Sequence, residues 1–515
     1  MNKMKNRPDH IGCHGLHFCD ATGRERLFYG INLCCKGVLM PDGGCDHSFP
    51  WDDAVWQRLH QAGCDLVRLG FTWDSLEPEP GVYSLDRLAA IRRQLDLAAA
   101  AGIHVILDMH QDLYAQRFSD GAPDWAVLTD APYEPGRVWS DAYLTSTAVQ
   151  EAWDAFWENR RPAGGSQGLQ DSFAAVWSLL ARGLGGHEAL FAYDILNEPT
   201  PGRELRQQFA SLLSGFASLL SEHEKQTFGL RGELTQADLA AVFFAPERRL
   251  AALDVLTEAG RYRRLGDAAA PLVADWDARV LAPFYTRVAT AIRAHDRETI
   301  LLRAHSYLAN MGVPSGATPI LLGDGSRDPR QAYTAHGYDL VVDTEALDQA
   351  DSRRTAVIFE RHRETQLELQ MPLIVGEWGA FGHSSAVLAH GADLLAGFAR
   401  HHWSQTYWCH EHGFGRLPVA ELLKRPHPAA VPGRLRVWES DAGGSCLRLE
   451  WEPSGQEESW NRRLRLYCHR PPLEAKLDAV DVLADFAAVA PEGGWLELET
   501  GDAGRLELHF PAHGL

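Results

Sequence analysis

The chain has 515 residues, 45% of them hydrophobic and 23% charged, a globular composition with room for one large domain and a smaller one. Its formal net charge of −20 argues against a nucleic-acid partner and against simple electrostatic attraction to an anionic membrane. No apolar stretch is long enough for a transmembrane helix, and the opening MNKMKNRPDHIG has no apolar run behind it, so a cytoplasmic protein without a signal peptide is expected. Nine cysteines, six of them before residue 65 and none in a CxxC, read as reduced thiols. Cys13, His14 and Cys19 lack the tight spacing of a metal site, so no metal is expected there.

Strand-like runs follow one another along the chain. They are FYGINLC (28–34), DLVRLGF (65–71), HVILDMH (104–110), LFAYDIL (190–196), TILLRAH (299–305), AYTAHGY (332–338), LIVGEWG (373–379) and QTYWCHE (405–411). Segments of helical period lie between most of them. LDRLAAIRRQLDLAAAAG precedes the third run and DSFAAVWSLLARGLGG the fourth, both ending in glycine where a C-cap belongs. Eight strands alternating with helices predict an α/β fold, a (β/α)8 TIM barrel over 15–430. An open doubly wound sheet is the competing reading, but no glycine-rich phosphate loop follows the first run.

Two connections exceed what a barrel needs. Residues 112–165 are rich in aromatics, among them Trp139, Trp153 and Trp157, and residues 201–280 form a helical insertion. Within it Leu205, Phe209, Leu212, Phe216 and Leu219 or Leu220 mark one apolar face, which either packs on the barrel or lines an apolar entrance. After KRPHPAAVPG, residues 434–515 alternate apolar and polar between turns, predicting a C-terminal antiparallel β-sandwich. Its Trp438, Trp451, Trp460 and Trp495 are expected in the sandwich core.

Two runs end in glutamate: FAYDILNEP at Glu198 and LIVGEWG at Glu377. Chemistry in a barrel sits at the C-terminal ends of its strands, and a pair of carboxylic acids there is what glycosidic hydrolysis requires. Other strand ends add Lys36, Arg68, His110, Asp112, Asn197, His336, Tyr338 and Trp408. Each alone has a bland explanation; Asn-Glu-Pro, for instance, is also a helix start. Together, in order on successive strands, they are hard to explain blandly.

With these motifs the sequence resembles glycoside hydrolase family 5, a retaining family on the (β/α)8 fold. The resemblance implies that Glu198 is the acid/base and Glu377 the nucleophile, with Arg68, His110, Asn197, His336, Tyr338 and Trp408 filling the family signature. DMHQDLY, GINLCCK and AHGYD are similar to the endoglycoceramidase, glucosylceramidase and sterylglucosidase branch. That branch implies a glycolipid or β-glycoside substrate cleaved by double displacement, no cofactor, no metal, and at most transient contact with a lipid or micelle surface. Lys36, Asp112 and Trp157 would hold the outer sugar hydroxyls, Asn197 the 2-hydroxyl, and Trp408 the sugar face. A polysaccharide β-glucanase or mannanase of the same family is an alternative, and a non-catalytic glycolipid-binding protein another. The aglycone and the oligomeric state stay open.

Overall fold

The structure, a computed structural model, describes residues 11–41, 44–232, 234–441, 443–453 and 461–511. Eight parallel strands close into a barrel: Tyr29–Cys34, Leu66–Thr72, His104–His110, Leu190–Asp194, Ile300–Arg303, Gln331–His336, Leu373–Glu377 and Ser404–Tyr407. Each falls in one of the eight predicted runs, give or take a residue at the ends. The runs look continuously apolar because both faces are buried.

The period of two nevertheless sorts their side chains. Val67, Leu69, Phe71, Val105, Leu107, Met109, Leu373 and Val375 point outward and share one core with the surrounding helices. Leu66, Ile106, Ala192, Ile300, Leu302, Ala332 and Ile374 point inward and form a separate apolar floor. The hairpin Ile11–His14 and His17–Asp20 closes this floor from below, with Ile11 and Phe18 inserted beside Phe28 and Phe191.

The helices obey their caps. In Leu85–Ala101 the Ser84 side chain accepts from the Arg87 amide, and Gly102 takes the left-handed conformation at φ 78°. The insertion supplies helices Glu204–Leu219, Glu222–Thr227, Gln236–Phe244, Pro246–Val255 and Ala259–Trp276. They have a core of their own, in which Phe216, Leu239, Leu253 and Tyr262 meet Val357 and Ile358 of helix Ser352–Leu369. No helix among the described residues is long and apolar enough to cross a membrane.

The sandwich differs from the expectation in where its strands come from. One sheet runs Ile11–His14, His17–Asp20, Glu25–Arg26, His427–Val431, Arg463–Cys468 and Gly494–Glu499, so both ends of the chain build it. The other runs Arg434–Ser440, Cys446–Glu452, Gly504–His509, Glu474–Leu477 and Val480–Asp481. A boundary at 434 therefore cuts through a continuous antiparallel sheet, because hydrogen bonding joins the hairpin at residues 11–20 to strands more than 400 residues away. Leu464, Leu466 and Leu498 face Leu435, Leu447, Leu449 and Trp451 across the interior, with Trp438 at its edge. Trp495 instead turns toward the barrel, where its indole donates to the His60 carbonyl (2.9 Å) and the Tyr467 hydroxyl donates to that of Gln61 (3.0 Å). Gly63, at φ +94°, leaves room for the Tyr467 ring, which a β-carbon there would meet at 2.7 Å. Trp460 lies outside the described residues.

Phe18→Ala should remove the main plug of the barrel floor and lower unfolding free energy by about 3 kcal/mol, measured as a shifted urea midpoint at constant slope. An unshifted midpoint would mean that the hairpin only covers a floor that is stable without it.

Candidate active site

Above the apolar floor the barrel interior turns polar. Arg68, fully buried, donates through Nε to Asp194 (2.8 Å), through Nη1 to Glu377 (2.6 Å) and Asn32 (3.1 Å), and through Nη2 to Asn197 (2.9 Å), with Asp108 2.8 Å from Nη2. Burial opposes its charge, but Asp108, Asp194 and Glu377 outweigh that and keep the guanidinium ionised. Burial pushes Asp194 up to about 7 in spite of Arg68, so one cation does not have to balance three full negative charges.

Glu377, the last residue of the seventh strand, presents Oε1 to Arg68 and accepts from the Tyr338 hydroxyl at Oε2 (2.8 Å). Both oxygens are met by donors, an arrangement that suits an anion. The strand can close in here because residue 376 is glycine: a β-carbon would lie 2.5 Å from Thr334 Oγ1 and 2.8 Å from His336 Nε2.

Glu198 follows the fourth strand in a left-handed conformation, φ 42°, which costs a non-glycine residue about 1 kcal/mol or more. The bend is held by the Gln111 amide, which donates to the carbonyls of Asn197 (2.9 Å) and Glu198 (3.3 Å), and by the Tyr307 amide on the Pro199 carbonyl (2.9 Å). Glu198 Oε1 lies 2.7 Å from Asn310 Nδ2 and 3.0 Å from His336 Nδ1. Burial, reinforced by Asp112, pushes the Glu198 carboxyl up to about 7. His336 Nδ1 is also 3.6 Å from Glu377 Oε2, and the two glutamates present oxygens within 4.8 Å of one another. One acid is poised to be neutral and its neighbour is met by donors on both sides.

On the opposite wall the Lys36 ammonium bonds Asp112, lies 3.4 Å from Asp120 and sits over the Trp408 ring. Burial opposes ionisation of Asp112, but Lys36 and His110 hold its carboxyl down to about 2. Trp408 stacks on the His110 ring at 5.1 Å, and His110 is oriented from below by Asp108 at 2.9 Å. Lys36, His110, Asp112 and Trp408, with Glu198, Tyr338 and Glu377, line a cavity of about 340 Å³. Trp139 and Asp343 bridge its mouth through an indole hydrogen bond of 2.9 Å.

A second cavity of about 230 Å³ adjoins it, sharing Ser140, Tyr307, Met311, Leu340 and Val342. Its wall is apolar, built from Leu205, Phe209 and Leu212 of the insertion together with Phe243, Leu253 and Leu256. The amphipathic face at 205–220 therefore divides: its first residues line the cavity, while Phe216 and Leu220 enter the core of the insertion.

The structure brings the sequence-predicted residues to one place with one exception. Trp157 does not line the cavity; its ring stacks on Trp153 at 5.4 Å and packs edge-on against Trp276 and Phe284, while its indole donates to the Thr200 carbonyl (2.7 Å). An aromatic cluster behind the fourth strand end has taken it. Arg68 and Asn197 lie beneath the cavity and act through Glu377 and through each other. Sequence reading missed Asn32, Asp108, Gln111, Asp194 and Asn310. Asp108 and Asp194 had a signal, an acid at an inward position of an apolar strand; Asn310 had none.

Two groups here have metal-ligand spacing, His110–Asp112–Asp120 and Glu198–His336–Glu377. In each a cation of the chain is already bonded to a carboxylate, Lys36 in the first and Arg68 in the second, so both fit a polar organic ligand better than an ion.

The raised pKa of Glu198 sets a stability trend. The folded state holds this proton between about pH 4.5 and 7 where the unfolded state has lost it, so its contribution is complete below 4.5 and fades as pH rises toward 7. Wild type should therefore lose up to about 3 kcal/mol relative to Glu198→Gln over that range, read from paired denaturant titrations at several pH values. Parallel curves for the two proteins would contradict the assignment.

Comparison with known proteins places this site. The model of the Cellulase (glycosyl hydrolase family 5) family matches residues 19–217 and 265–413, the gap falling on the helical insertion. Among curated relatives, an endoglycoceramidase of Cyanea nozakii is 29% identical over 209 residues, covering 36% of this chain and 40% of that protein. A glucosylceramidase of Rhizopus delemar is 31% identical over 241 residues, covering 36% of this chain and 35% of that protein. The matches thus span well under half the length of these relatives. Endo-glycoceramidase II from Rhodococcus sp., solved as a ganglioside GM3 complex, superposes with a TM-score of 0.69 over 97% of this chain and all of that one at 22% identity, a likeness of fold. With a closed eight-stranded barrel, two facing glutamates at its strand ends and the family match over both barrel halves, the chain belongs to glycosyl hydrolase family 5.

Proposed function

We propose that this protein is a retaining β-glycosidase that cleaves the bond between a sugar and a lipid aglycone. The observation that carries the proposal is the pair of adjoining cavities, a polar one holding Glu198 and Glu377 and an apolar one opening from it on the Tyr307–Met311 side. Carboxyl groups roughly 5–5.5 Å apart suit direct attack, whereas an inverting pair needs roughly 6.5–9.5 Å to admit a water; oxygens within 4.8 Å favour retention.

In the first step Glu377 attacks the anomeric carbon while Glu198 gives its proton to the departing lipid oxygen, leaving a glycosyl-enzyme ester. In the second, Glu198 as carboxylate takes a proton from water, which displaces Glu377. Arg68 and Tyr338 hold the nucleophile, and Lys36, Asp112 and His110 offer donors and acceptors to sugar hydroxyls over the Trp408 face. The names of the relatives, endoglycoceramidase and glucosylceramidase, support a sphingolipid-like aglycone. The same proposal includes a reducing, cytoplasmic setting, supported by nine unpaired cysteines.

The primary test is product analysis with glucosylceramide, lactosylceramide, a ganglioside and a sterylglucoside, each in detergent. Lipid release from one or more supports the proposal; hydrolysis of cello- or manno-oligosaccharides alone would replace it with a polysaccharide hydrolase. Glu377→Gly should abolish turnover and regain part of it with azide or formate. Glu198→Ala should cost about 10²–10⁴-fold on lipid glycosides and much less on nitrophenyl glycosides, whose leaving groups need no proton. Phe209→Asp should raise KM for lipid glycosides about tenfold or more while sparing water-soluble aryl glycosides; equal effects on both would separate the apolar cavity from the aglycone.

A further inference from the structure

Glu198 has two oxygens, and only one of them can hold the acid proton productively. Oε1 is already taken up by protein groups, 2.7 Å from Asn310 Nδ2 and 3.0 Å from His336 Nδ1. We infer that Asn310 is a positioning residue of the general acid: by donating to Oε1 it keeps that oxygen an acceptor and places the transferable proton on Oε2. The inference rests on the glycosidase reading for its consequence in catalysis, but not for the hydrogen bond itself.

The two neighbours of Oε1 differ in what they can do. An amide NH₂ only donates, whereas a neutral imidazole nitrogen either donates or accepts, according to tautomer. His336 alone would leave Oε1 free to carry the proton and give it to Nδ1, away from substrate. Asn310 opposes that arrangement. It comes from the 3₁₀ segment Tyr307–Met311, lines the polar cavity, and is 7% exposed.

The second neighbour is held just as firmly. The His336 amide donates to His305 Nε2 (3.0 Å), so His305 keeps its proton on Nδ1 and donates to the Ser306 carbonyl (3.0 Å). The His336 carbonyl accepts from His362 Nε2 (2.8 Å), whose Nδ1 accepts from the Tyr333 hydroxyl (2.8 Å). Two imidazoles of fixed tautomer thus clamp both backbone groups of His336 and fix the point from which its ring reaches Oε1.

In glycosyl transfer the Oε2–H bond breaks as the proton passes to the glycosidic oxygen, that oxygen's bond to the anomeric carbon breaks, and Glu377 bonds to the carbon. The electron pair left on Glu198 spreads to Oε1, where the Asn310 hydrogen bond strengthens against a developing anion. Asn310 therefore favours the ionised form, in company with His110 and Arg68 and against Asp112 and burial. The other titratable groups facing Glu198 are His336 and Glu377, with the hydroxyls of Tyr143, Tyr307 and Tyr338.

The test is Asn310→Leu, close in volume and without a donor, with Asn310→Ala as a second variant should the first fail to fold. Glutamate labelled with carbon-13 at the carboxyl allows the Glu198 titration to be followed directly, its signal identified by its loss in Glu198→Gln. The proposal expects that titration to move upward by about one pH unit in the variant. The basic limb of kcat/KM on an alkyl β-glycoside, whose leaving group needs the Glu198 proton, should move by the same amount, which a merely structural residue would not cause. An unmoved Glu198 titration overturns the proposal. A downward move also overturns it, since Asn310 would then be an acceptor for a proton on Oε1. Should wild type cleave no glycoside at all, the proposed function fails, while the carbon-13 titration still decides the role of Asn310.

Discussion

One guanidinium shared among three carboxylates organises the centre of this protein. Arg68 stands fully buried on the second barrel strand and reaches Asp108 on the third, Asp194 on the fourth and Glu377 on the seventh. Removing one partner of such a buried cluster typically costs about 3–5 kcal/mol, because the remaining charges have no water to turn to. The cluster therefore ties strands from opposite sides of the barrel to one point, and that point lies beneath the site. Asn32 and Asn197 join it from the first strand and from the segment after the fourth.

The consequence upward is division of labour between two glutamates in one small space. Glu377 is tied into the cationic layer, while Glu198 sits off it, in a bend maintained by Gln111 and facing Asp112. Burial and Asp112 push Glu198 toward its neutral form, while Glu377 meets a donor at each oxygen, so two like acids have different surroundings. The consequence downward is an apolar floor that excludes water from the charged layer, sealed by a hairpin from the other end of the chain's covalent path.

The helical insertion adds a second cavity to the barrel. It has a core of its own and lends one end of an amphipathic helix to a second cavity. The family model skips residues 218–264 of this insertion, so Phe243, Leu253 and Leu256 of the cavity wall lie in the gap while Leu205, Phe209 and Leu212 lie in the matched part. The two glutamates thus stand on the barrel, and the apolar cavity beside them is walled in part by what is grafted between its fourth and fifth strands.

Much of this was legible in the sequence. Apolar runs of strand length are written into adjacent residues, so the eight strands need no tertiary information, whereas which of their side chains point inward came from the structure. Glu198 and Glu377 stand where apolar runs stop, and Lys36, His110, Asp112, His336, Tyr338 and Trp408 share that local mark. What only the tertiary structure decided is which side chains meet. The family resemblance sets Trp157 on an outer sugar hydroxyl, yet closure of an aromatic cluster takes it into the protein; Trp495 has the pattern of sandwich core, yet faces the barrel. Asn310 reaches Glu198 across 112 residues of chain, and the hairpin at the start of the chain joins a sheet at its end. Strand identity depends on near neighbours along the chain, whereas contact depends on barrel closure and the path of long loops, which no local pattern records.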